Sequence, residues 1–183
     1  QSFEVLLDIA MTYMDANQKE YAAKWIKKIQ DKGYNETNSQ KFRDLWCDFC
    51  MTFDEASKAT KAFQLSLDEQ PYSIPHWNGM AKCYLAQMQI EQAHEAVDFA
   101  LAIDENNLEA LEVKGFCYLQ NENYEEALAI YQQLLPQSQA PSRIYAFITK
   151  CYLDLERAQE AKDTCLEWLQ QCHQLTGFEK SEI

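Results

Sequence analysis

Cys47 and Cys50, three places apart, are the first residues whose spacing suggests chemistry. A C-x-x-C pair forms half of a zinc site or a redox-active dithiol. Four zinc ligands need a second pair, and neither another C-x-x-C nor a nearby pair of histidines supplies one. Cys83, Cys117 and Cys151 stand 34 residues apart, a regular interval that belongs to architecture. Cys165 and Cys172, seven apart, share one face of a helix. Seven cysteines are odd in number, which excludes a complete set of internal disulfides. Thiols at helix-face positions read as reduced core residues, and that favours a reducing, cytoplasmic compartment.

Other catalytic arrangements fare no better. His76, His94 and His173 fall in three different helical segments, and His76 and His94 lie on differing faces. No nucleophile stands at a readable spacing from a base, and no glycine-rich loop is present to cradle phosphate. Acidic pairs such as Glu125-Glu126 sit at a helix start, where the dipole favours them, and read as a solvated face. The expectation is a non-catalytic protein with no cofactor and no metal.

The charge balance narrows the partners. The net charge is −13, with 29 acidic residues against 16 basic ones. Nucleic acid requires clustered Lys and Arg to neutralise phosphates, and here the basic residues are scattered, so no nucleic-acid partner is expected. The acidity reads as solubility. No run of 18 apolar residues offers a membrane span. The chain opens QSFEVLLD, without Met and without a basic leader segment, and is taken for an excerpt or a processed product.

The elements that carry these residues repeat. Between Leu108 and Leu135 two amphipathic helical patterns flank the polar break Gln120-Asn121-Glu122-Asn123. Leu111, Gly115 and Tyr118 share one face of the first; Tyr124, Ala127 and Tyr131 share one face of the second. The same pattern returns 34 residues earlier as Trp77, Ala81, Tyr84 and Ala93, and 34 later as Tyr145, Ile148, Tyr152 and Ala161. Ala59, Phe63 and Pro71 fit the second half of another copy. A looser copy begins near Phe3, with Leu6, Ile9, Ala10 and Tyr13 and then Ala22, Ile26 and Ile29. The segment after it holds Gly33, Asn35, Asn38 and Ser39, signals of a helix end and a helix start. Four copies are in phase from Gln40 onward. One helical hairpin cannot bury both its faces, so such units must stack.

A period of 34 residues with W-x2-L-G-x2-Y, then A-x3-F, then P, describes the tetratricopeptide repeat. Trp77-x2-Met80-Ala81-x2-Tyr84, Ala59-x3-Phe63 with Pro71, and Leu111-x2-Lys114-Gly115-x2-Tyr118 followed by Ala127-x3-Tyr131 resemble that family. Two copies lack the aromatic at the fourth place, where Leu6 and Arg43 stand. The resemblance implies an all-α fold, a right-handed α-α superhelix of about ten antiparallel helices. It implies one array over 3–175, with repeats near 3–36, 40–73, 74–107, 108–141 and 142–175 and a tail at 176–183. Small residues at Ala10, Cys47, Ala81, Gly115 and Thr149 should let each helix pair approach, with Ala22, Ala59, Ala93, Ala127 and Ala161 opposite. Pro136 should end a helix through Leu135. After Cys172 the pattern fades, with too few apolar residues for a full closing helix.

The resemblance also implies a function: docking of a protein or peptide segment on the concave face lined by first helices. The family's ligand-facing places carry Met11, Asp44, Asp48, Asn78, Lys82, Glu112, Phe116, Arg143, Phe147 and Lys150, together with Leu7, Met14, Asp15 and Met51. The Lys-and-Asn clamp with which some members hold a C-terminal carboxylate is absent. What remains is an apolar strip, acidic near Asp44 and Asp48 and basic near Lys82 and Lys150. Leu85, Leu119 and Leu153 either join it or pack between repeats, and Phe116 and Phe147 serve either packing or a partner. The alternative function is a structural or self-associating spacer within a larger multidomain protein. The last helix would then pair weakly with a second copy through Cys165, Leu166, Trp168, Leu169 and Cys172.

Overall fold

The computed structural model describes the backbone of residues 2–178 and the side chains of 2–172. Ten α-helices occur among these residues, with no strand. They are α1 (Phe3–Asp15), α2 (Lys19–Asp31), α3 (Gln40–Thr52), α4 (Thr60–Glu69) and α5 (Ile74–Ala86). The others are α6 (Ile90–Ile103), α7 (Leu108–Gln120), α8 (Tyr124–Leu134), α9 (Pro141–Asp154) and α10 (Ala158–Phe178). Each first helix packs against the second helix of its own repeat. The helix starts at 3, 40, 74 and 108 coincide with the repeat starts expected from sequence, and α9 begins one residue early, at Pro141. The chain divides into two compact units, Gln1–Glu105 and Asn106–Ile183, and the division falls close to a repeat boundary.

Local chemistry explains these limits. The side chains of Ser2, Ser39 and Asn107 accept hydrogen bonds from the N–H groups of Val5, Phe42 and Ala110, capping α1, α3 and α7. Gly33 closes α2 at φ +91°, a conformation that glycine adopts without strain. The alanines facing the first helices are buried without exception: Ala22, Ala59, Ala93, Ala127 and Ala161. Each is the fourth residue of its second helical segment. In the second repeat that segment opens as a tight 3-10 turn, Ala56–Lys58, and α4 proper starts only at Thr60.

All five first helices end in the same way. The residue two places past the helix takes a positive φ: Asn17, Asp54, Met88, Glu122 and Glu156 lie between 54° and 60°. The N–H of the next residue then donates back to a carbonyl five places earlier, as from Gln89 to Tyr84 (2.9 Å) and from Asn123 to Tyr118 (2.9 Å). This is a Schellman closure, usually built on glycine.

Two sequence expectations need correction. Helix α8 stops at Leu134, and Pro136 lies inside a 3-10 turn, Leu135–Gln137. The proline lacks the N–H that another α-turn requires, so the chain tightens before it turns. Helix α10 runs unbroken to Phe178, three residues past the expected end of the array at 175. The remainder of the expected tail, 179–183, lies outside the described residues. Arg43, which the sequence places where the repeat pattern has an aromatic, is 3% exposed and fills that site. Its guanidinium pairs with Glu69 and donates to the Glu36 carbonyl at 3.1 Å, which makes burial of the charge tolerable.

The repeated thiols are core residues. Cys83, Cys117 and Cys151 are fully buried, and Cys47 and Cys50 are buried too. Desolvation raises the thiol pKa of Cys83 and Cys151 to about 11 and that of Cys50 to about 12. Little thiolate is therefore available at neutral pH, and only thiolate reacts. In the native protein a maleimide should label exposed Cys165 quickly and half-buried Cys172 next, leaving the five buried cysteines until denaturant is added. Quick native labelling of Cys83 or Cys117, read by peptide mass, would contradict this packing.

Candidate functional site

Within the unit Gln1–Glu105, the expected partner-facing residues of α1 and α3 meet. Met11, Met14, Asp15, Asp48, Met51 and Thr52 line one open cleft of about 420 Å³. Helical periodicity explains the set. Met11, Met14 and Asp15 fall three and four places apart on α1, and Asp48, Met51 and Thr52 have the same spacing on α3. The cleft lies where both helices finish, since Asp15 and Thr52 are their last residues. Met11 is 50% exposed and Met14 is buried, so the cleft has a thioether floor and an accessible wall.

Its electrostatics are one-sided. Asp44, exposed on α3, stands one turn before Asp48. Partial desolvation raises the Asp48 carboxyl pKa above the usual aspartate value; repulsion from Asp44 adds to this, and His76 opposes it. Glu55, by contrast, is held below the usual range by Lys58 and Lys19, which bind it at 2.9 and 3.0 Å.

The third first helix, α5, departs from expectation. Asn78, expected to face a partner, is 2% exposed. Four consecutive residues, Asn78, Gly79, Met80 and Ala81, are buried, and four successive positions face all around a helix. A helix covered on every side has no free face at that level. Lys82, one turn on, is half-buried. Sequence reasoning missed Gly79, although only four glycines occur in the chain. A Cβ at this position would lie 2.3 Å from two atoms of the Phe63 ring, so the close approach of α4 and α5 depends on glycine.

In the unit Asn106–Ile183, α7 and α9 present the remaining candidates. Phe116 and Phe147 are neighbours, as their repeat places implied, with ring centroids 6.3 Å apart in an edge-on arrangement. Phe147 also stacks on Tyr131 at 4.8 Å. Tyr131 is fully buried, so Phe147 contributes to the core as well as to the surface. Glu112 and Arg143 form an ion pair across the two helices. Lys150 is bound to Asp154 at 2.7 Å, one turn along α9, and that carboxylate raises the ammonium pKa. Lys150 is therefore not an isolated cation beside the two rings. Of the three leucines at one repeat place, Leu119 is buried, Leu85 is half-buried and Leu153 is 57% exposed, so only Leu153 is open to a partner.

A tetratricopeptide repeat model matches residues 89–151. No curated protein matches the chain. Among solved structures, the crystal structure of MamA has 15% identity and a TM-score of 0.76, covering 97% of this chain and 95% of its own. A thermophilic tetratricopeptide repeat protein of Thermus thermophilus has 14% identity and a TM-score of 0.67, covering 93% of this chain and 91% of its own. A MamA double mutant has 12% identity and a TM-score of 0.76, covering 94% and 96%. The fold class of these structures is the all-α helical-repeat solenoid, and such scaffolds are generally non-catalytic. Helical repeats cover most of the chain, residues 89–151 carry the tetratricopeptide repeat signature, and the fold is that of a tetratricopeptide repeat solenoid.

Proposed function

We propose that this protein is a non-catalytic interaction scaffold that docks a protein segment on the exposed faces of its first helices. One observation carries the reading: residues assigned to partner contact from repeat position alone, on two successive first helices, line a single cleft. Clefts of about 300–1,000 Å³ are typical of sites that bury a ligand group. Methionine suits such a surface, because its flexible, polarisable chain adapts to the group it meets. The α7 and α9 face, with Phe116, Phe147 and exposed Leu153, would extend docking to the second unit on its own terms. The partner is a protein, not nucleic acid, and the compartment this reading assigns is the cytoplasm.

Panning a random peptide library on the purified chain tests the reading. Selected peptides should lose binding when Met11→Glu and Met51→Glu are combined, with the melting midpoint nearly unchanged. Peptides indifferent both to that pair and to Phe116→Ala would sink it.

A second reading, self-association through α10, has its own support. Leu166 and Leu169 are 46% and 53% exposed on that helix, and exposed apolar patches tend to find partners. Sedimentation at increasing concentration separates the two readings: a steady monomer removes the second.

A further inference from the structure

The cleft between α1 and α3 has a charge as well as a shape, and the charge selects a partner. Asp15 and Asp48 line it, and Asp44 stands one turn away. Among the described residues none of the three has an ion-pair partner, whereas nearby Glu55 is bound by two lysines. Both helices present their C-terminal ends here, and the macrodipole makes such ends partially negative. Three of the chain's five methionines lie in the same cleft, Met11, Met14 and Met51. The surface is thus apolar along its floor and anionic around it.

We infer that this cleft takes a basic protein segment, with an arginine or lysine stem lying along Met11, Met14 and Met51 and its cationic head at Asp15 and Asp48. Long basic side chains suit the arrangement, because their methylene stems bury on apolar surface while the charge stays at the rim. An acidic segment would meet repulsion, and a purely apolar one would desolvate Asp48 further without compensation. His76 only partly offsets the desolvation of Asp48 and its repulsion from Asp44. The inference rests on the docking function proposed above and assigns it a ligand class.

Three fluorescent synthetic peptides of equal length, alternating leucine with arginine, glutamine or glutamate, provide the probes. Anisotropy titrations on the full chain should show binding of the arginine peptide alone, weakening with salt as exposed charges are screened. Asp48→Asn and Asp15→Asn should each weaken it about tenfold. Asp48→Asn should nevertheless melt no lower than the parent, because the fold disfavours that carboxylate. Glu125→Gln, which removes an equal charge on α8, should change nothing and so controls for non-specific attraction to an acidic protein. Equal loss in all three variants, or no loss in the two aspartate variants, would overturn the inference. If the glutamine or glutamate peptide binds as tightly, and Met51→Ala releases it, the basic class is wrong while docking at the cleft stands. Failure of all three peptides to bind would overturn the inference at this cleft, and docking on the α7 and α9 face would still be testable through Phe116→Ala.

Discussion

Tyr131→Ala should lower the stability of the protein by about 3–5 kcal/mol, whereas Tyr131→Phe should cost nothing or stabilise slightly. The tyrosine is fully buried. Its ring stacks on Phe147 and lies directly over Gly115, where an added Cβ would meet Tyr131 Cζ at 2.9 Å. Truncation to alanine therefore removes a ring from a site whose walls are α7, α8 and α9, and helices cannot collapse fully into the space. The hydroxyl has the opposite role. It is buried with no hydrogen-bond partner among the described residues, and desolvation raises its pKa strongly, so it stays neutral. An unsatisfied buried hydroxyl costs about 1–3 kcal/mol, and phenylalanine removes that group while keeping the ring. Phenylalanine is also the residue of the repeat signature at this place. Urea unfolding followed by circular dichroism reads both variants. A loss above about 1 kcal/mol for Tyr131→Phe would mean that the hydroxyl has a partner after all.

The second large effect belongs to Gly79. Alanine in a helix interior normally gains about 1 kcal/mol over glycine. Gly79→Ala should lose about 2 kcal/mol net instead, because overpacking a tight core costs roughly 1–3 kcal/mol and sometimes more. Here the new carbon would sit 2.3 Å from Phe63 Cε1 and Cζ and 3.0 Å from Cδ1. That ring is only 4% exposed and must move bodily, with α4 behind it. Smaller aliphatic chains at position 63 relieve the clash, so Phe63→Leu should cost less in the Gly79→Ala background than in the parent. A double-mutant cycle measures this coupling directly. Additive losses would show that the two helices separate without resistance, contrary to the contact described.

These two sites mark what the sequence could and could not disclose. The hairpins are legible because small residues recur at fixed places on facing helices. Ala81 and Gly115 are buried opposite Ala93 and Ala127 as the period requires. The cleft is legible for a related reason. First helices lie side by side, so Met11 and Asp48, at one repeat place, had to be neighbours, with Met14 and Met51 beside them. Periodicity misplaces Asn78 because it counts places around a helix and does not report whether all of them are covered. Lys150 looks like an available charge in the sequence because its partner Asp154 is four residues on, in a place read for its own exposure and not for its reach. The sequence pattern understates the length of α10 because the helix continues through Thr176, Gly177 and Phe178, where a glycine and too few apolar residues give no periodic signal. The close contact of Gly79 with Phe63 joins residues of neighbouring hairpins, and a pattern repeated within each hairpin carries no record of it.

The positive-φ closures bear on how such a chain can diverge. Asn, Asp, Met, Glu and Glu occupy the five equivalent left-handed positions. A left-handed conformation costs an ordinary L-residue roughly 1–2 kcal/mol, and glycine escapes that penalty. Even so, none of the five is glycine, so the paired helices on either side must impose the turn. Selection on residue type is then weak at 17, 54, 88, 122 and 156. Most residue types should therefore be accepted there, β-branched residues and proline excepted. A saturation library scored for folded protein should show near-flat profiles there, with glycine the one consistent gain. Register is set by the paired helices, and the turn residues follow it.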